Sequence, residues 1–276
     1  MKKAIQYTAL LLSFLLISCE EVVDVNLDTA SPKLVIEASI NWLKGTDGNL
    51  QTIQLTTTTG YFSNTIPVVS GATIFITNSS NAQFNFIETP KTGEYICNNF
   101  IPVINETYVL TVIHDGATYN ATEKLKSVSP ISEIVQNNEG GFTGKNIEIK
   151  TYYTDPADES NYYLYKYIYS NQKKKNYYAD EDTFFQGNKF FSISQSDDLK
   201  VGDEVTVSHY GISKAYYNYI NVIVSIAGGN GGGPFQSPPA TVRGNIINTT
   251  NAANAANYPL GYFAVSETDT RTYTIQ

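Results

Sequence analysis

The chain is poor in the residues that build metal centres and hydrolytic active sites. Its 276 residues include two cysteines, two histidines and one methionine. The histidines, His114 and His209, do not form an HExxH pair, and two cysteines cannot supply a zinc-finger spacing. No GxSxG nucleophile motif occurs in the sequence. We therefore expect no metal, no cofactor and no catalytic residue.

Positive charge is also scarce. Lysine and arginine number 18 against 26 aspartate and glutamate residues, which gives a formal net charge of −8. The one basic cluster, Lys173 to Lys175, follows a strand-like run and is typical of a turn. Because nucleic-acid binding depends on clustered basic groups that contact phosphates, we expect no nucleic-acid partner.

Acidic residues do cluster, in the segments 155–159, 180–182 and 197–198. Calcium-binding loops space their oxygen ligands regularly, with an intervening glycine and a distal glutamate, and these segments lack that pattern. A glycosidase needs two carboxylates facing each other across a cleft, but the 26 acidic residues supply many pairs and the sequence selects none. The clusters are typical of solvated loops.

The sequence has one long apolar run, and it lies near the N-terminus. Lys2 and Lys3 precede the apolar stretch from Thr8 to Ile17, which as a helix would span only about 15 Å, half of a bilayer's hydrocarbon core. This order of basic and apolar segments is typical of a signal peptide. We therefore predict that residues 1–18 are a signal peptide that is cleaved off. No later stretch reaches the ~18 consecutive apolar residues that a membrane-spanning helix needs.

The end of this run resembles a lipobox. Residues 16–18 (LIS) place an apolar and then a small residue before Cys19, whose thiol would accept a diacylglycerol. The alternative is an ordinary secretory signal. Cleavage before Cys19 removes two lysines and no acid, so the formal charge changes from −8 to −10. Since two or more acyl chains, such as palmitate, hold a protein stably, the sequence predicts a lipoprotein anchored to the bacterial outer membrane.

The segment 19–32 is acidic at its start, with Glu20, Glu21 and Asp24. Acidic residues in this place resemble the export signal of lipoproteins that Bacteroidota display on the cell surface. They also suit a solvated linker between the lipid and the first strand. We expect an acidic linker and a surface-exposed protein.

Lipidation of Cys19 would leave Cys97 as the only free thiol, so no internal disulfide could form. Cys97 lies in a strand-like run beside Tyr95 and Ile96. Free cysteines in such surroundings are usually inert packing residues, and we expect the same of Cys97.

Residues 33–127 consist of short strand-like runs separated by turns. Runs such as Leu34 to Trp42 and Gly71 to Asn78 are rich in β-branched and aromatic residues. Two further runs flank Asp115-Gly116, which favours a tight hairpin because glycine accepts a positive φ, and His114 belongs to that turn. About seven short strands without a helical period predict an immunoglobulin-like or transthyretin-like β-sandwich.

A second domain is predicted over residues 131–276. Pro130 and the polar, glycine-rich segment 136–144 mark the boundary. The domain is expected to be β-rich and barrel-like, because the run from Tyr162 to Tyr169 is apolar or aromatic on both faces. One face consists of four candidate ligand-facing aromatics, which could stack on a sugar ring or planar ligand or could form the wall of a sheet: Tyr163, Tyr165, Tyr167 and Tyr169.

The region 213–227 predicts one amphipathic helix in this domain. Its apolar residues recur at spacings of three and four, and Ser213 can cap its start. The glycine run 228–233 and Pro234 end it. Because these glycines follow a helix instead of joining a strand to a helix N-terminus, they favour a flexible connector over a nucleotide-binding loop.

Two C-terminal segments resemble a known family. SPPATVRGNI at 237–246 and YPLGYFAVSE at 258–267, with CEEVVDVNL at 19–27 and KLVIEASI at 33–40, are similar to motifs of a Bacteroidota outer-membrane lipoprotein family, the domain-of-unknown-function family numbered 4249. Its members are commonly encoded beside TonB-dependent receptors. The resemblance implies an outer-membrane lipoprotein with a TonB-dependent receptor as candidate partner, and it lends no catalytic residues.

The closing segments also have a physical interpretation. Pro238 and Pro239 force an extended backbone, and Gly244 allows the close approach of another backbone. The run 260–263 predicts a strand in which Gly261 lies where another backbone passes. We expect these residues to define the fold.

The sequence favours a non-enzymatic accessory of a TonB-dependent transporter or envelope complex, which captures or hands over a ligand. Two alternatives stay open. A cell-surface hydrolase of glycans or peptides would need a cleft with two converging carboxylates. A structural or adhesive module would need the tyrosine face to be exposed and flat.

Overall fold

The computed structural model describes residues 31–60, 62–227, 242–254 and 256–276. The predicted signal peptide, Cys19 and most of the acidic linker lie outside the described residues, as do the glycine run and Pro234. Residues 32–276 form one compact unit. No helix in the described ranges is long and apolar enough to cross a membrane.

The first half is a sandwich of seven strands. They are β1 (Leu34–Leu43), β2 (Gln51–Thr57), β3 (Thr73–Asn78), β4 (Gln83–Glu88), β5 (Glu94–Cys97), β6 (Thr107–His114) and β7 (Ala117–Lys124). Strands β1, β2 and β5 are hydrogen-bonded neighbours, and β4, β3, β6 and β7 follow in that order. Both groups bury alternate residues in one hydrophobic core, for example Ile36, Leu55 and Leu110. The predicted β-sandwich is therefore confirmed.

The predicted hairpin is confirmed as well. Strands β6 and β7 pair along eight positions, and Asp115 and Gly116 join them with φ values of 49° and 72°. Positive φ at both central residues gives the tight turn whose twist matches that of the strands. His114 is the last residue of β6, directly before this turn.

The second half adds eight strands and a helix. They are β8 (Glu133–Gly140), β9 (Asn146–Thr154), β10 (Tyr162–Tyr169), β11 (Asn176–Glu181), β12 (Lys189–Ser196), β13 (Glu204–Ile212), α1 (Lys214–Ala227), β14 (Ile247–Asn248) and β15 (Leu260–Thr274). Strands β12, β9 and β8 form a separate three-stranded sheet. One face of β10 and β13 packs against β9, and the opposite face packs against α1. The predicted helix is confirmed.

The second half is not a barrel. The large sheet has the order β11-β10-β13-β15-β1-β2-β5-β4-β3-β6-β7-β14, and in the described part of the chain its end strands do not pair with each other. It stays open because β15 pairs with β1 of the first half instead of closing a ring within the second. The run 162–169 is apolar on both faces because a sheet covers one side and a helix covers the other. The prediction of a barrel-like domain is therefore wrong, and the second half is layered.

Strand β15 joins the two halves. Its 15 residues pair in parallel with β1 over nine positions and antiparallel with β13 over seven. Phe263 and Val265 enter the first hydrophobic core, and Ile275 enters the second. The boundary predicted at residues 127–131 lies between the residues of the first core and those of the second along the chain. The exception is the C-terminal segments, which also contribute residues to the first core. That the halves are separate domains stays a prediction.

Two carboxylates of β15 fix the connection between the halves. Glu267 accepts a hydrogen bond from Val128 N at 2.9 Å and pairs with Lys44 Nζ at 2.8 Å. Asp269 accepts a hydrogen bond from Ile131 N at 2.7 Å. Both acidic residues are buried, and charge-assisted bonds to backbone N–H groups are stronger than neutral ones. The connection is thus held along the sheet.

Two glycines allow backbones to cross at the start of β15. A Cβ on Gly261, whose φ is 94°, would lie 2.0 Å from the carbonyl oxygen of Ile36. A Cβ on Gly244 would lie 1.7 Å from the carbonyl oxygen of Gly261. Real Cβ atoms do not approach backbone this closely, so both positions require glycine. The close approaches predicted for Gly244 and Gly261 are confirmed.

Replacing Gly261 with alanine should lower the free energy of unfolding by more than about 3 kcal/mol, because the methyl group meets the Ile36 backbone in a left-handed conformation. Gly71→Ala is the matched control. Gly71 has a φ of 78° and open space around it, so its cost should be about 1 kcal/mol. Urea unfolding of both variants measures the difference. Equal losses would contradict the proposed backbone crossing.

Candidate functional site

The four tyrosines of β10 lie inside the protein. Tyr163, Tyr165, Tyr167 and Tyr169 are at most 1% exposed. Their rings fill the space between the large sheet and the three-stranded sheet. A ligand on the protein surface would not reach them. Their burial fits the interpretation of this face as the wall of a sheet.

His209 of β13 lies among these rings. It is fully buried and stacks on Tyr165, with 4.7 Å between the ring centroids and 9° between the planes. The rings of Tyr153 and Tyr163 lie 4.6 and 4.9 Å away. Burial, and to a lesser extent repulsion by Lys44, lowers the pKa of His209 to about 3. His209 is therefore a neutral residue of the core at pH 7.

Two residues of the acidic segments are buried, which corrects the prediction of solvated loops. Asp155 and Asp182 are each 3% exposed. Asp155 accepts hydrogen bonds from Tyr163 OH at 2.5 Å and Gly187 N at 3.0 Å. Asp182 accepts one from Asn161 N at 2.6 Å. These carboxylates hold the loops in place because buried backbone N–H groups need partners. The described residues contain no group of three or more potential metal ligands.

Cys97 is a buried free cysteine, 1% exposed. Its Sγ lies 3.2 Å from Asn99 Oδ1. Burial raises the pKa of the thiol, which reduces the thiolate fraction that nucleophilic chemistry requires. These surroundings suit the packing role expected for Cys97.

An open groove lies between α1 and residues 242–245, beside the start of β15. Its volume is about 420 Å³, within the size range of small-molecule sites. Its lining combines the aromatic rings of Tyr219 and Tyr262 with the aliphatic Val222, the amide of Asn218 and the guanidinium group of Arg243. The groove therefore offers apolar surface, hydrogen-bonding groups and one positive charge.

The helix wall of the groove is fixed at its N-terminus. Ser213 Oγ accepts a hydrogen bond from Tyr216 N at 3.1 Å, which confirms the predicted cap. The same hydroxyl donates to Glu123 Oε2 of β7 at 3.0 Å, and Tyr262 OH donates to that oxygen at 3.4 Å. Burial raises the pKa of Glu123. One buried carboxyl group thus ties the start of α1 to β15.

The aromatic side of the groove consists of tyrosine rings packed at a tilt against one another. The ring of Tyr262 lies 4.7 Å from the ring of Tyr216 and 4.7 Å from that of Tyr219. Burial raises the pKa of Tyr216 to about 12 and also raises that of Tyr219. These phenols are therefore neutral at physiological pH. They present apolar ring surface with hydroxyl groups at the edge.

The opposite wall is held to β15 by a side chain. Asn245 Nδ2 donates to Phe263 O at 2.8 Å, and Phe263 N donates to Asn245 Oδ1 at 2.9 Å. The side-chain amide of Asn245 thereby makes the two hydrogen bonds to Phe263 that the backbone of a neighbouring strand would make. Together with the close contact of Gly244, this bond fixes the backbone and leaves Arg243 exposed at the rim.

Arg243 and Lys33 contact the same aromatic ring. Arg243 Cζ lies 3.9 Å from the centroid of the Tyr258 ring, and Lys33 Nζ lies 4.0 Å from it. Lys33 Nζ also donates to Ala256 O at 3.0 Å. The ion pairs formed within the described ranges involve neither cation. We call Arg243, which lines the groove, together with Tyr258 and Lys33, which adjoin it, the rim. The rim has two positive charges without an acidic partner among the residues that the structure describes.

The sequence profile of a domain of unknown function, DUF4249, matches residues 20–272. The chain belongs to the DUF4249 family. The matched range includes both C-terminal segments that carry the sequence resemblance, so that resemblance is confirmed. No curated protein matches this DUF4249 chain.

Solved structures share only a loose likeness with this DUF4249 protein. A two-domain fibronectin type-III segment of chicken tenascin is 13% identical, covers 66% of this chain and 91% of its own, and has a TM-score of 0.22. A cytokine receptor complex is 10% identical over 68% of this chain and 86% of its own, with a TM-score of 0.26. A DUF4785 family protein from Legionella pneumophila is 9% identical over 67% of this chain and 54% of its own, also at 0.26. At these TM-scores the structures carry no argument about this protein.

Sequence reasoning missed the groove residues of this DUF4249 protein. Tyr219 belonged to the apolar face of the predicted helix, and Arg243 and Tyr262 lay in segments expected to define the fold. The sequence offered one signal, Arg243 itself, since arginine occurs only twice in the chain. Its proximity to Lys33 and Tyr258 depends on how distant segments pack, which no local pattern predicts.

Protonation of His209 should destabilise the protein in acid. Its folded pKa of about 3 lies below the ordinary histidine value of 6.5, so the unfolded chain binds the proton first and stability falls as pH decreases from about 6.5 toward 3. At pH 4 the loss from this group should be about 3 kcal/mol relative to pH 7. His209→Phe keeps a ring on Tyr165 and should remove this part of the pH dependence.

Urea unfolding of both proteins between pH 7 and 4 measures the effect as a difference, which cancels the titration of Asp155 and Glu123. Parallel pH profiles of the two proteins would contradict the assignment. An NMR titration of the wild-type histidines gives an independent check, since His209 should stay neutral down to about pH 4.

Proposed function

We propose that this DUF4249 protein is a non-enzymatic, surface-exposed lipoprotein of the outer membrane, which binds a small ligand in the groove beside α1 and serves a TonB-dependent transporter or envelope complex. The observation that carries the proposal is the groove itself. It combines closely packed tyrosine rings, amide groups and an exposed arginine in a space of about 420 Å³. Such a set of groups is typical of a site that binds a ligand.

The chemistry of the groove favours binding over hydrolysis. The part of its lining that the structure describes contains no aspartate, glutamate, histidine, serine or cysteine side chain. A hydrolase of glycans would need two carboxylates at the cleft, and a hydrolase of peptides would need an activated nucleophile or water. The lining groups can hold and orient a molecule, and they supply neither reaction. This supports an accessory role over the hydrolase alternative.

Burial of the tyrosine face argues against an adhesive module of the kind expected from the sequence. That role depends on an exposed, flat aromatic surface, whereas the four tyrosines of β10 are at most 1% exposed. Their rings pack against the three-stranded sheet and stabilise the core. Ligand handling at the separate groove therefore has the better support.

The rim residue Lys33 follows shortly after the predicted lipidation site Cys19 in the sequence. Lys33, which contacts Tyr258 beside the groove, directly precedes β1. Cys19 lies 13 positions before Pro32, and such a stretch spans at most about 45 Å when fully extended. A lipid on Cys19 would therefore hold Pro32 within about that distance of the membrane, which suits a partner in the outer membrane.

Affinity purification of the protein from gently solubilised membranes tests the partner. We expect a TonB-dependent receptor to be recovered in near-stoichiometric amount after brief chemical cross-linking. An unrelated outer-membrane lipoprotein with the same affinity tag serves as the control. Recovery of the protein alone, with no receptor or other envelope protein, would count decisively against the accessory role.

Replacing Cys19 with alanine tests the anchor. Without the thiol that accepts the lipid, the protein should be found uncleaved or in the soluble fraction, while Cys97→Ala should stay in the membrane and fold with at most a modest loss of stability. Fractionation, with metabolic labelling by a palmitate analogue, measures both. Membrane retention of a fully processed Cys19→Ala protein would refute the lipid anchor.

A further inference from the structure

We propose that the rim of the groove formed by Arg243, Lys33 and Tyr258 binds an oxyanion, a carboxylate or phosphate group, whose organic body lies against Tyr219 and Tyr262. The inference rests on the proposed function in one respect, since it assigns a ligand class to the same groove. It goes further by naming the charge and the two parts of the ligand.

The electrostatics of the rim carry the first step. Because Arg243 Cζ and Lys33 Nζ each lie about 4 Å from one ring centroid, the two cations are within about 8 Å of each other. Like charges at this separation repel, and the Tyr258 ring that both contact attracts each cation only weakly. No ion pair of the described residues offsets the repulsion. An anion bound at the rim would offset this repulsion.

The rim brings two cations together in a chain that has an excess of acid. Acidic residues outnumber basic ones by 26 to 18, and one of its two arginines lies at this groove. The other arginine, Arg271, has Asp269 at 3.8 Å. Lys44 likewise pairs with Glu267 at 2.8 Å. Arg243 instead lines a groove whose described lining residues include no acid, and Lys33 lies next to it on the Tyr258 ring.

The geometry of Arg243 suits an oxyanion. A guanidinium group presents several N–H donors in one plane and binds carboxylate or phosphate through two parallel hydrogen bonds. The backbone beside it is fixed by the Asn245–Phe263 bonds and by the contact of Gly244 with Gly261, so the arginine is held at the rim. A fixed cation loses less entropy on binding than a mobile one.

The tyrosine side of the groove supplies the second half of the site. The rings of Tyr219 and Tyr262 and the side chain of Val222 line the same space as Arg243. They offer apolar contact and stacking surface to the body of a ligand. The ligand should therefore need both its charge and its apolar or planar part, and inorganic phosphate alone should bind weakly.

Two dyes that differ in one charged group test this directly. The probe is 8-anilinonaphthalene-1-sulfonate, and its control is N-phenyl-1-naphthylamine, which has the same rings without the sulfonate. The full chain carrying Cys19→Ala is titrated with each dye, and fluorescence is recorded. We expect the sulfonate dye to bind at least 10-fold more tightly than the neutral dye.

Matched variants locate the site. Arg243→Gln and Lys33→Gln should each weaken the sulfonate dye about 10-fold and leave the neutral dye within about 2-fold. Arg271→Gln removes the other arginine and should leave both dyes unchanged. Circular dichroism and the urea midpoint verify that each variant is folded. Equal sulfonate affinity in the parent chain and in Arg243→Gln would overturn the proposal.

Two further arms identify the source of the oxyanion. Millimolar inorganic phosphate should displace the sulfonate dye, which supports a site open to a free organic anion. Vesicles of phosphatidylcholine with and without phosphatidic acid test a lipid headgroup, and binding that requires both phosphatidic acid and Arg243 would assign the oxyanion to the membrane. Absence of phosphate competition together with absence of vesicle binding would overturn the proposal.

The test is separable from that of the proposed function. Recovery of a TonB-dependent receptor with an Arg243→Gln protein that has lost the sulfonate dye supports both ideas. If the receptor is recovered but no protein variant distinguishes the two dyes, the proposed ligand class is overturned and the accessory role stands. Selective dye binding with no receptor leaves the site and overturns the partnership.

Discussion

The structure depends on the pairing of one strand with two different parts of the chain. Strand β15 lies between β1 and β13 and buries Phe263 and Val265 in one core, while Ile275 after its end enters the other. A parallel pair cannot be joined by a tight turn, and here the whole intervening chain connects β1 to β15. This strand is held in place by the backbone crossings at Gly244 and Gly261. Its carboxylates in turn hold residues 128–131.

The groove is a consequence of the same arrangement. Helix α1 covers the face of the sheet opposite the tyrosine cluster, and the chain must then return to β15 through residues 242–245. Asn245 bonds to Phe263 as a strand neighbour would, which places that segment beside the helix and leaves a space between them. Glu123 ties the helix start to Tyr262, so the walls of the groove are parts of the fold itself.

Prediction from sequence succeeded where the signal is local. The hairpin at Asp115-Gly116 follows from the φ that its turn requires, and the cap at Ser213 follows from the unpaired N–H groups of a helix start. It failed where an alternating pattern has two explanations. The run 162–169 is apolar on both faces, which suits a barrel wall or a strand covered by a sheet and a helix, and periodicity alone does not distinguish them. Asp155 shows the same limit, since a loop carboxylate is solvated until a partner such as Tyr163 covers it.

The sequence by itself determined the β-rich class, the strand alternation, the hairpin, the helix and the family, because each depends on residues close together along the chain or on motifs within it. Only the tertiary structure decided that β15 binds both halves, that the tyrosines of β10 are interior, and that Arg243 and Lys33 lie at one ring. Those outcomes depend on long-range packing: Lys33 and Arg243 are separated by about two hundred residues, and their distance is set by the register of β1 on β15.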